Sequence, residues 1–87
     1  MHARALYPIY APLLYGIILR FTDNLTDAER VLSKSFTSIQ LHLQQHSEDN
    51  CRLFTMMVRI TLEECAKTLN ISQKEILFAI RPFFQFP

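Results

Sequence analysis

Apolar residues recur along this chain every three to four positions, in four separate stretches. In the first, Leu6, Tyr10, Leu13, Leu14, Ile17 and Phe21 hold that spacing, the period of an α-helix with one face turned inward. The pattern predicts a helix from about Ala5 to Phe21. Pro8 and Pro12 are awkward inside it, because proline lacks the N–H that a helix interior uses. The regular part is therefore expected from near Pro12, where proline suits a first turn. Tyr15 and Ile18 make the stretch apolar nearly all round, as in a central helix.

Thr22 to Leu25 reads as a connection. Thr26-Asp-Ala-Glu29 then has the capping-box pattern, a threonine oxygen for an orphan amide and a glutamate that reaches back. The helix it opens runs to about Gln45, with Leu25, Ala28, Leu32, Phe36, Ile39 and Leu43 as its inward stripe. Arg30, Ser33, Lys34, Thr37 and Leu41 lie off that stripe. His46 to Asn50 is a polar turn with Ser47 or Asp49 as N-cap. A third helix from about Cys51 to Leu69 keeps Cys51, Phe54, Val58, Leu62, Cys65 and Leu69 in register, and Leu53, Met57 and Ile60 widen its apolar surface to two sides. Asn70 breaks it. Ser72-Gln-Lys-Glu75 is a second capping box, opening a short helix to about Ile80 that Pro82 ends. The tail carries Phe83, Phe84 and Phe86, which either fold back on the core or form an exposed sticky patch. The fold class expected is all-α: three main helices in an antiparallel bundle plus a short C-terminal helix, in one domain over residues 1–87.

Composition agrees with that pattern. The chain has 87 residues, of which 49% are hydrophobic and 20% charged, the balance of a packed globule. A single glycine leaves little material for β-hairpin turns. So short a chain buries a marginal core, and docking to a partner or to itself would supplement it. The net charge is +1, without the basic surface by which most DNA-binding domains gain affinity. Any nucleic-acid contact rests on a few placed cations. The two cysteines, Cys51 and Cys65, would stand about 21 Å apart on one helix, too far for a disulfide. They read as small buried hydrophobes in a reducing cytoplasm. The apolar run Leu13 to Leu19 is too short to span a bilayer and has no cleavage site after it.

Little in the chain suggests catalysis. It has no glycine-rich phosphate loop, no nucleophile with an adjacent base and no carboxylate pair with a cleft, so no enzyme and no cofactor are expected. His42 and His46 stand one turn apart with Cys51 near, but no fourth ligand is in register, so no metal site is assigned. Residues 62–81 have a helix-turn-helix cast, with Ala66 at the helix crossing, Asn70 in the turn and Ile76 as anchor. The side chains of that reading helix would be Gln73, Lys74, Leu77, Phe78 and Arg81, a set better suited to protein than to base edges.

From about Leu6 to Lys67 the chain resembles region 2 of bacterial sigma-70-type transcription initiation factors, the extracytoplasmic-function kind. The resemblance is carried by Tyr10, Ala11, Leu14, Tyr15, Gly16, Leu19 and Arg20, by Asp27-Ala28-Glu29 and Phe36, and by Leu53-Phe54 where the family often has Trp-Leu. It implies a transcription module without region 4, whose second helix docks on core RNA polymerase through the face of Asp27, Arg30, Ser33, Lys34 and Thr37. It also implies weak contacts with promoter DNA through Leu53, Arg59 and Lys67. The family's docking face reads Asp, Gln, Glu at the positions of Arg30, Ser33 and Lys34, complementing a basic coiled coil, and cations there oppose that surface. The tryptophan on which an unstacked base would rest is Leu53, and a polar asparagine has become Ile60. The alternative from the residues is a non-enzymatic helical interaction domain that self-associates through Leu53, Ile60 and the phenylalanines of the tail.

Overall fold

In a computed structural model the chain is all-α, with no strand among the described residues, which are 3–46 and 50–81. Helix α1 spans Ala3–Ile18, α2 Leu25–Gln45, α3 Asn50–Leu69 and α4 Gln73–Ile80. The first three are substantial and pack on one another, and α4 is a two-turn helix laid against α3.

Helix α1 begins well before Pro12, contrary to the expectation that the prolines would delay it. Pro8 and Pro12 are both exposed and lie one turn apart on the outer face. Their missing N–H groups cost the helix its bonds to the carbonyls of Arg4 and Pro8, a loss that is smaller on a solvent-facing side than in a core. Inward burial of Leu6, which is almost fully enclosed, holds the first turn in the helix regardless. At the other end Arg20 and Phe21 donate their N–H groups to the carbonyls of Ile17 and Ile18, three residues back, at 3.1 and 2.9 Å. The α-helix therefore ends at Ile18 and tightens into a 3₁₀-like turn over the residues expected to be its last.

The second helix also starts earlier than its sequence suggested. Asn24 is the N-cap, its side chain accepting from the Asp27 N–H at 3.0 Å. The Thr22 hydroxyl accepts in turn from the Asn24 N–H at 3.1 Å. Thr26 thus falls inside the first turn and its capping box with Glu29 does not form. Asparagine is at least as good a cap as threonine, and capping at Asn24 adds two residues to the helix. At α4 the serine half of the expected box forms: Ser72 caps the helix by accepting from the Glu75 N–H at 3.2 Å.

Between α3 and α4 the chain reverses through Asn70, at φ 56°. The Ile71 N–H donates to the Ala66 carbonyl at 3.1 Å. This is a Schellman closure, with asparagine as one of the few non-glycine residues that enter the left-handed region at modest cost.

The core is built by Leu6, Leu14 and Ile18 of α1, by Val31 and Ile39 of α2, and by Met57 and Cys65 of α3, with Phe36 at its edge. Leu13, Leu25 and Phe54, assigned inward by periodicity, are exposed instead, and Ala11, Val31 and Ser35 are inside. Aromatic pairs fasten α1 to both neighbours. Tyr7 meets Phe36 with ring centroids 4.7 Å apart, and Tyr10 meets Phe54 at 6.2 Å. Tyr7 and Phe36 stand equally far along the chain from the connection between α1 and α2, the relation of an antiparallel pair.

Candidate functional site

Two surfaces stand out among the described residues. One is the outer strip of α2. Arg30, Ser33, Lys34, Thr37 and Leu41 recur at three- and four-residue intervals, so they stack along one side of the helix, and all five are exposed. The strip stands off because Val31, Leu32, Ser35, Phe36 and Ile39 occupy the opposite side and are buried. The Ser35 hydroxyl could be buried because it donates to the Val31 carbonyl at 2.7 Å. On the strip the Thr37 hydroxyl donates to the Ser33 carbonyl at 3.1 Å. Arg30 reaches Asp27 at 3.9 Å, with both side chains substantially in water. So loose and exposed a pair contributes a few tenths of a kcal/mol at most and leaves the guanidinium free to exchange partners. Asp27 is the half-buried member of the expected docking face, at the start of the strip.

The other surface is a groove between α3 and α4, of about 360 Å³. Val58, Arg59, Leu62 and Glu63 of α3 and Ile76 and Leu77 of α4 line it. Val58, Leu62 and Ile76 form its buried floor, while Arg59 and Glu63 stand exposed at the rim. Ile76 is the anchor of α4, as the sequence suggested. Leu77 and Phe78 beyond it are 63% and 77% exposed.

The expected nucleic-acid residues do not assemble as a set. Arg59 and Lys67 are exposed on α3, but Leu53 is in the core at 7% exposure and presents no face to a base. Ile60 is equally buried. Neither therefore forms the self-association patch assigned to it, because both fill the space between α3 and its neighbours. Phe83, Phe84 and Phe86 lie outside the described residues, as do Ser47 and Asp49. Cys65 is buried as expected; the Cys51 side chain lies outside the described residues.

His42 and His46 bring their rings to 4.8 Å between centroids at the end of α2. No group of three or more His, Cys, Asp or Glu that could hold a metal occurs among the described residues. No described helix is long and apolar enough to cross a membrane. The groove between α3 and α4 was not assigned from the sequence. Its signal was present in Ile76 and Leu77, two apolar neighbours of α4 of which only Ile76 is buried.

Comparison with family models, with curated proteins and with solved structures finds no match to this chain.

Proposed function

We propose that the chain is a non-enzymatic helical docking module of the sigma region 2 kind, working in the cytoplasm, and that core RNA polymerase is the partner held against the outer strip of α2. The observation that carries this reading is the strip itself. Arg30, Ser33, Lys34 and Thr37 line up in solvent on a helix whose other side is fixed by the core. Such a rigid, polar, exposed row suits a protein surface.

Contact with promoter DNA is secondary in this reading. It retains Arg59 and Lys67 as exposed cations on α3, loses Leu53 to the core, and operates from a net charge of only +1. Phosphate neutralisation by two cations supplies little affinity at physiological salt. A helix-turn-helix reading of residues 62–81 keeps exposed Gln73, Lys74 and Arg81, yet the apolar Leu77 and Phe78 beside them favour protein over base edges.

The test is binding of purified core polymerase to the immobilised chain at low salt. Weak binding is expected. If the partner surface is basic, Lys34→Glu tightens it by removing a like-charge contact. Absence of binding at low salt overturns the polymerase reading.

A further inference from the structure

One backbone bond closes the last turn of α2. The His46 N–H donates to the His42 carbonyl at 2.8 Å, and His46 is the C-cap residue. The bond sets the two residues one helical turn apart, so both side chains leave the same side of the helix. His42 is half-buried and His46 exposed. Neither belongs to the core or to the strip of Arg30, Ser33, Lys34 and Thr37. Their rings stand 4.8 Å apart between centroids, with planes inclined at 37°. Two imidazoles thus meet at one place, positioned by a helix that the core holds.

That separation matches what a single metal ion requires. A ligating imidazole nitrogen lies about 2.0–2.1 Å from the ion, which puts the ring centroid about 3.2 Å from it. Two such rings at a right angle about the ion have centroids about 4.5 Å apart, and at the tetrahedral angle about 5.2 Å. The observed 4.8 Å falls between the two. The outer torsion of histidine is broad, so turning the rings in place aims both at one ion without moving the helix. The electrostatics agree. The C-terminal carbonyls of a helix carry partial negative charge and favour a cation, and along α2 no lysine or arginine follows Lys34. His42 also has a partner besides His46. A ligating imidazole ordinarily keeps such a partner for its second nitrogen.

We propose that His42 and His46 form a surface site for a divalent transition-metal ion of the class of Ni²⁺, Cu²⁺ or Zn²⁺. Imidazole suits these ions, whereas Mg²⁺ and Ca²⁺ take oxygen ligands. A closed structural site needs four protein ligands, but an open one does not. Here two come from the described residues and water fills the other positions, so binding is weak and exchangeable. An ion that grips only the helical pair stabilises the folded chain and pins the last turn of α2. This goes beyond the docking proposed for the outer strip and needs nothing from it.

Titration calorimetry of the full chain in neutral buffer with Ni²⁺, and separately with Zn²⁺, tests the site. One ion per chain is expected, with a dissociation constant between about 1 µM and 1 mM, and no heat from Mg²⁺ or Ca²⁺. Ni²⁺ should also raise the thermal midpoint by a few degrees. His42→Gln and His46→Gln should each weaken binding about tenfold or more. His46→Gln combined with Gln44→His keeps the number of histidines but turns the second away from the first. It should bind as weakly as His46→Gln alone. His2→Gln should change nothing. Circular dichroism establishes that each variant is folded, which the exposed positions of Gln44 and His46 permit. No binding up to about 1 mM overturns the proposal. So does binding that survives both single variants, or that the moved histidine restores, since the ion would then be adventitious. Loss with His2→Gln alone overturns it too, because the start of the chain would be the site. The measurement contains no polymerase, so its failure is separate from failure of the α2 docking reading.

Discussion

The Ser38 hydroxyl of α2 donates to the Glu64 carboxylate of α3 at 3.2 Å, in a half-buried position. It is a side-chain hydrogen bond that joins the two longest helices directly, at a point otherwise held by apolar packing. A bond to an ionised acceptor is worth more than a neutral one, and partial exposure moderates it. Ser38→Ala is expected to destabilise the fold by about 1 kcal/mol in urea unfolding. Combining it with Glu64→Gln in a double-mutant cycle should show coupling. Additive losses would mean that the two groups do not act on each other.

Gly16 should be replaceable with gain. It sits inside α1 at an exposed position, and a Cβ added there meets nothing within 4 Å. Glycine in a helix interior costs about 0.5–1 kcal/mol relative to alanine. Gly16→Ala is expected to raise the thermal midpoint by a few degrees, as a domain of this size should for that energy. A fall would show that Gly16 is required for a reason other than space.

Thr61 offers a contrasting case. Its hydroxyl oxygen is buried with no hydrogen-bond partner among the described residues, and the residue has no solvent exposure. An unpaired buried hydroxyl costs about 1–3 kcal/mol. Thr61→Val keeps the branched shape and removes the group, so stability should hold or rise by about 1 kcal/mol. Ser35→Ala, which deletes a hydroxyl that does have a partner in the Val31 carbonyl, should lower it. Chemical denaturation of the pair checks both signs, and a clear loss on Thr61→Val would refute the reading.

Cys65 should be chemically silent in the folded chain. Burial, with the neighbouring Glu64 carboxylate adding to it, pushes the thiol from 9.0 up to about 12. The unfolded chain releases the proton near the ordinary cysteine value of about 8.5. Stability from this group is therefore fully present below that pH and is lost as pH rises toward about 12, because the unfolded state alone gives up its proton there. Iodoacetamide at about pH 8, near the ordinary thiol pKa, should label the Cys65 peptide only after denaturant is added. Between about pH 9 and 10.5, a window set by the same pKa, wild-type stability should fall more steeply than that of Cys65→Ala. Rapid labelling of the native chain would contradict the burial on which this rests.

Much of this architecture was legible in the sequence, and the exceptions share a cause. The Ser72 cap and the break at Asn70 are local, set by residues within one turn, and the folded chain follows them. The cap of α2 was misread because two candidate caps stand two residues apart, and the extra turn residues favour Asn24. The inward faces were misread where helices are apolar on several sides: Leu13 and Ala11 both fit a helical period, and only packing against α2 and α3 decides between them. The same ambiguity assigned Leu53 and Ile60 to surface roles. A widened apolar stripe signals two neighbours as readily as an exposed patch, and here α1 and α2 are those neighbours. The strip on α2 was readable because a single polar row opposite a clean apolar stripe has only one orientation.

The antiparallel pairing of α1 with α2 has a consequence in time. Residues 3–45 close on themselves across the short connection 19–24, and contacts of small sequence separation form quickly. Synthesis adds about 5–20 residues per second, far slower than a helical hairpin closes. The Tyr7–Phe36 clasp therefore has time to form before α3 has emerged from the ribosome. For that interval Val31 and Ile39 lie open along the hairpin, and α3 arrives to a surface already shaped to receive it.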